Sequence, residues 1–129
     1  MDRGFYSWFI IFQQFNDRCE SNSFAFVLSP TIEDGKKLSD DALIQINKSF
    51  LAKMKLDNHQ YIAFVNKDTA HKHIHLYINR IDYQGKAYDD KFISNRSSHT
   101  AEEIAKDIKL TMAKSIQVIN RRYNHIERA

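Results

Sequence analysis

His71-Lys72-His73-Ile74-His75-Leu76-Tyr77-Ile78-Asn79-Arg80 carries three histidines at every second position. In an extended strand successive side chains point to opposite faces, so His71, His73 and His75 share one face. Lys72, Ile74, Leu76, Ile78 and Arg80 take the other. A single strand thus turns a mostly apolar side to a core and a row of imidazoles away from it. Neutral imidazole is the commonest protein metal ligand, and two on one strand face reach a single ion. The plain alternative is a set of half-exposed polar residues with satisfied rings.

Working outward, Gln60-Tyr-Ile-Ala-Phe-Val65 reads as a second strand. The polar connection Asn66-Lys-Asp68-Thr is short enough to make the pair an antiparallel hairpin. Asp82-Tyr-Gln-Gly85 reads as a turn, and Lys86-Ala-Tyr88 as a short return strand. Upstream, Phe24-Ala-Phe-Val-Leu-Ser29 is rich in strand formers and stops at Pro30. Leu38-Ser39-Asp40-Asp41 announces a helix: Ser39 caps the first free amides, and the aspartates favour the positive end. Leu43, Ile46, Phe50 and Met54 then follow at helical spacing, predicting a helix to about Lys55. Thr100-Ala-Glu-Glu103 has the capping-box pattern, with Ala101, Ile104, Ala105 and Ile108 as the buried stripe of a second helix. A last, basic helix is predicted from about Met112 to Ile126, within a C-terminal segment 112–129. The fold class expected is α+β: an antiparallel β-sheet with helices packed on one face, leaving the histidine face open.

The chain has 129 residues, 43% hydrophobic and 27% charged, so residues 1–129 are expected to form one soluble domain. No apolar run reaches the length of a membrane span, and Phe5–Phe12 lacks the flanks of a secretory signal. Cys19, the only cysteine, excludes a disulfide framework and a cysteine zinc site, and a reducing, cytoplasmic setting fits. The formal net charge of +3 is uneven. Residues 1–50 hold five Lys/Arg against seven Asp/Glu, whereas the remainder holds fourteen against nine. That balance admits a polyanionic partner without demanding one.

Taken together, the run Asp68-x2-His71-x-His73-x-His75-x3-Asn79-Arg80-Ile-Asp82, with Gly85-Lys86 after it, resembles the third motif of conjugative relaxases, the mobilisation nucleases of bacterial plasmids. The likeness continues through Phe12-Gln-Gln-Phe-Asn-Asp-Arg18, Phe26-Val-Leu-Ser-Pro30, Glu33-Asp34-Gly35, Leu38-Ser39 and His59-Gln-Tyr-Ile62. Phe92-Ile-Ser94 and Glu103-Ile-Ala105 extend it, so that it covers about residues 12–115. The resemblance implies a relaxase or Rep-nuclease-like palm that binds single-stranded DNA at a transfer origin. A tyrosine hydroxyl attacks one phosphodiester there and leaves a 5′-phosphotyrosyl link. It further implies a divalent ion, Mg²⁺ or Mn²⁺, as Lewis acid, held by His73 and His75. Accessory mobilisation proteins are the other partners implied.

Two departures qualify that expectation. The family's third ligand is a histidine seven residues before the first of the pair, and Asn66 stands there. An amide oxygen binds transition metals less well than imidazole, though it suits Mg²⁺ or Mn²⁺. His71 is the alternative third ligand. Three alternate strand residues span about 13 Å, however, so all three histidines chelate one ion only across a bulge. The second departure is at the nucleophile. Tyr6 is the sole early tyrosine and the weak candidate, because its surroundings do not resemble the family's nucleophile segment; the expectation is a relaxase core short of that segment, impaired in cleavage. Asp68 is the candidate for orienting a histidine from outside the ligand set. Asn79, Arg80, Lys86, Lys91 and Arg96 are the candidate DNA contacts. Two other readings stay open: a DNA-binding remnant without turnover, and a metal-binding protein unrelated to DNA.

Overall fold

The computed structural model describes residues 5–10, 23–67, 71–110 and 115–123, with 5–10 and 121–123 described as backbone. Five strands, β1 (Phe5–Ile10), β2 (Ser23–Pro30), β3 (His59–Asn66), β4 (His73–Asp82) and β5 (Ile116–Tyr123), form one sheet in the order β1-β3-β4-β2-β5. Every neighbouring pair is antiparallel. Three helices, α1 (Ile32–Lys37), α2 (Asp40–Lys53) and α3 (Ile93–Asp107), complete an α+β fold.

Alternation along the strands divides the sheet into two unlike faces. Phe24, Phe26 and Leu28 of β2, Ala63 and Val65 of β3, and Ile74, Leu76 and Ile78 of β4 are buried in one cluster. That cluster takes in Leu43, Ile46, Phe50 and Leu51 of α2 and Ala101, Ile104 and Ala105 of α3. Phe26 meets Phe50 edge to face at 5.0 Å between ring centroids, a geometry that adds to the area both rings bury. Among the described residues, α2 and α3 therefore cover one face. The residues between these on β2, β3 and β4 line the other.

The hairpin of β3 and β4 and the α2 stripe follow the sequence expectation. Ser39 caps α2 by accepting from the Ala42 amide at 3.1 Å, and Leu43, Ile46, Phe50 and Met54 are all buried. At the Asp82–Gly85 turn, the Asp82 carboxylate accepts from the amides of Gln84 and Lys86, at 2.9 and 2.8 Å. Gly85 there has φ +89°, a conformation that glycine adopts without steric cost. The return strand is reduced to a single bridge, Ile81 with Ala87.

Two expectations are corrected. Ile116–Tyr123 is a strand, not part of a helix from 112 to 126; residues 111–114 and 124–129 lie outside the described ones. Ile116 and Ile119 are spaced as on one helix face, but the open edge of β2 takes Ile116–Tyr123 as its partner along eight registered residues, which buries Ile116 and leaves Ile119 exposed on the other side. α3 also starts earlier, at Ile93, so Thr100 is a buried interior residue rather than a cap. Its first turn is pinned from outside. Arg96 donates to the carbonyls of Lys91 and Asp89, at 3.0 and 2.7 Å, and to the Tyr88 hydroxyl at 2.9 Å. Phe92, just before the helix, is held left-handed at φ 56°, which is uncommon for a bulky residue.

Candidate active site

The face opposite α2 and α3 gathers its functional groups where β2, β3 and β4 run side by side. His73 is registered with Asn66 of β3, and His75 with Phe64 of β3 and Val27 of β2. Directly opposed residues of antiparallel strands point to the same side, with Cβ atoms about 4.5–5.5 Å apart. Asn66 thus stands beside His73, and each histidine has a neighbour that fixes its ring. Ser29 Oγ lies 2.8 Å from His73 Nδ1, and the Phe64 ring stacks on His75 at 5.0 Å and 8°. When His73 carries its proton on Nδ1 it donates to Ser29, leaving the Nε2 lone pair for a ligand. Outer partners commonly orient metal-binding imidazoles in this way.

Burial lowers the proton affinity of both rings below the ordinary histidine value. His71 adds to the effect at His73, and His73 at His75. Both are therefore neutral at pH 7, the form that coordinates metal. His71 precedes β4 and is engaged elsewhere, donating from Nε2 to the Pro30 carbonyl at 2.9 Å, with its ring 4.6 Å from that of His73. Among the described residues no group of three His, Cys, Asp or Glu side chains is arranged to hold an ion. The donors that fit a divalent cation are the two imidazoles of His73 and His75, with the Asn66 amide registered next to them.

The remaining candidates are spread along the molecule. Tyr6 falls where the β1–β3 register shifts, between Phe5 opposite Asn66 and Ser7 opposite Val65. β1 lies two strands from β4, about 10 Å at ordinary strand spacing. Asp68, like Cys19, lies outside the described residues. Asn79 is buried and spends its side chain within the sheet, donating to Gln60 Oε1 at 3.1 Å and accepting from the Ile81 amide at 2.9 Å. Arg80 alternates onto the helix-covered side, where its Nε is buried with no hydrogen-bond partner among the described residues. Arg96 is occupied by the carbonyls and hydroxyl that anchor α3. Lys86 and Lys91 are exposed, in the segment after β4, whose far end is roughly 30 Å from His73 at the usual rise per residue.

Ser29 and Phe64 are the residues that reading the sequence missed. Both sit at the right parity, Ser29 two positions after Val27 and Phe64 two before Asn66. Their roles become visible only once the strand order brings β2 and β3 to either side of β4.

Among the described residues, no helix is long and apolar enough to cross a membrane. No curated protein and no solved structure matches the chain. A family model does match, over residues 3–110: Relaxase, MobA/VirD2-like, nuclease domain. That span takes in the histidine strand, both of its neighbours and all three helices, so the chain belongs to the relaxase family of DNA-nicking mobilisation nucleases, whose members generally use a divalent metal ion.

Proposed function

We propose that residues 1–129 act as one cytoplasmic relaxase domain that binds single-stranded DNA at a transfer origin and exchanges one phosphodiester bond for a protein–DNA link. The observation that carries this reading is the His73–His75 pair on the sheet face opposite α2 and α3, with Asn66 in register beside it. His73 and His75 would hold a Mg²⁺ or Mn²⁺ ion, with Asn66, in register beside His73, as third donor in preference to His71, which precedes the strand. The bound ion would supply Lewis-acid stabilisation of charge developing on the scissile phosphate. Ser29 and Phe64 keep the two rings in place, so less ordering is needed when the ligand arrives. Tyr6 is the candidate nucleophile: its phenolic oxygen bonds to phosphorus while the bond to the 3′ oxygen breaks. Lys86 and Lys91 contact phosphates distant from the cleavage point.

Incubation of the chain with 5′- and 3′-labelled origin strands and Mn²⁺ tests the reading. It is expected to give a nick and a covalent adduct, both lost in Tyr6→Phe and His73→Ala. A metal-dependent nick that survives Tyr6→Phe would remove Tyr6 from the mechanism. The second reading, DNA binding without turnover, is favoured by Asn66 at the third-ligand position and by the engagement of His71 with Pro30. It is expected to show strand binding that weakens steeply with salt, and no adduct.

A further inference from the structure

The face opposite α2 and α3 carries, among the described residues, an apolar band that the chemistry of the histidine pair does not use. Its first row runs Phe64–His75–Val27–Ile119 across β3, β4, β2 and β5, and the next runs Ile62–Tyr77–Ala25–Arg121. Ile62 is 36%, Tyr77 39% and Ile119 51% exposed. The Phe64 ring, parallel to His75, also stacks on Tyr77 at 6.2 Å and 25°. A row of near-parallel rings therefore starts at His75 and ends at a tyrosine more than one-third open to solvent, with an exposed isoleucine registered across from it. Two residues along a strand amount to about 7 Å, so Tyr77 lies next to the place where a phosphate bound at His75 would sit.

Resting on the DNA-binding reading above, we propose that Tyr77 and Ile62, backed by Phe64, form a base-stacking subsite for nucleotides flanking the scissile phosphate of a single strand. Three features on this face favour a nucleobase as the occupant. The rings are already aligned in parallel, as a stacking platform requires. The band adjoins the histidine pair, within one nucleotide's reach of a phosphate held there. On the outer side of the band, β5 places Arg121 in register with Ala25. Stacking on aromatic and aliphatic surface accepts any base, so the subsite contributes affinity and places the strand, whereas sequence is read elsewhere.

The test is fluorescence anisotropy of the full chain with a sixteen-nucleotide oligothymidylate and with an abasic strand of equal length, at one fixed salt concentration. Wild type is expected to prefer the thymidylate by tenfold or more. Tyr77→Ala is expected to lower thymidylate affinity roughly tenfold and leave abasic affinity within about twofold, while Tyr77→Trp keeps the preference. Circular dichroism checks that each variant is folded; Ile62→Ser, at a site equally open, supplies a second variant with the same expected direction. An unchanged thymidylate preference in both Tyr77→Ala and Ile62→Ser overturns the subsite and leaves the DNA-binding reading standing. Failure of wild type to bind either strand overturns both. A concentration-dependent dimer that Tyr77→Ala abolishes, with DNA affinity unaltered, assigns the band to a second copy of the chain and overturns the subsite.

Discussion

Strand β4 has two sides that are built on different principles. On one, Ile74, Leu76 and Ile78 are sealed beneath α2 and α3. On the other, His73, His75 and Tyr77 stand half-exposed, each held by one or two specific neighbours: Ser29 for His73, Phe64 for His75 and Tyr77. The first side contributes stability through close packing on all sides, and any lost volume is felt. The second contributes little stability, and what it offers is the orientation of a few rings. The difference teaches that one strand can be specified for folding and for chemistry at once, because the period of two keeps the two demands on separate surfaces.

Four outcomes would break or sharpen that contrast. The largest effect is expected on the sealed side. Leu76→Ala should cost about 2–5 kcal/mol in urea unfolding, while His75→Ala should stay within about 1 kcal/mol. Equal losses for the two would erase the distinction. Next comes metal affinity. In calorimetric titration with Mn²⁺, His73→Ala should abolish binding, Asn66→His should tighten it about tenfold, and tight binding that survives Asn66→Ala would remove Asn66 from the ligand set. A smaller change is expected for Ser29→Ala, a loss of roughly tenfold in Mn²⁺ affinity with unfolding unaltered, as for other partners that orient ligands from behind.

The smallest effect concerns pH. His59 is buried against Tyr88 and donates from Nδ1 to the Asn79 carbonyl at 2.8 Å. Its proton affinity is lowered chiefly by burial, against the opposing pull of the Asn79 carbonyl, Asp82 and Asp57. The unfolded chain therefore binds more protons just below the ordinary histidine value of 6.5, and stability falls as pH drops through that region. His73 and His75 act in the same direction. The loss of stability between pH 7.5 and 5.5 should be shallower in His59→Gln, measured as the change in urea midpoint; an unchanged slope would show that the buried histidine is not what the acid acts on.

Legibility in the sequence followed how local each decision is. The α2 helix could be read because Ser39 and the stripe at Leu43, Ile46, Phe50 and Met54 sit within one stretch of chain. The two faces of β4 could be read because alternation needs no partner to be recognised. β5 could not, since Ile116 and Ile119 have a helical spacing, and only pairing with the edge of β2 turns them to opposite faces of a strand. The start of α3 was hidden for the same reason: Arg96 anchors it to backbone carbonyls at Asp89 and Lys91, a bond set that no capping pattern announces.

By itself, then, the amino-acid order determined the α+β class, the sealed and open sides of the histidine strand, and the residues that carry the relaxase resemblance. Each is a matter of side-chain periodicity or of motif spacing within a short segment. Only the tertiary structure decided that β2 and β3 flank β4, so that Ser29 and Phe64 fix the two histidines and Asn66 stands beside His73. It also drew Asn79 and Arg96 into internal bonds. Strand order and cross-strand register come from burying a shared core among segments distant in sequence, and no single segment holds that information.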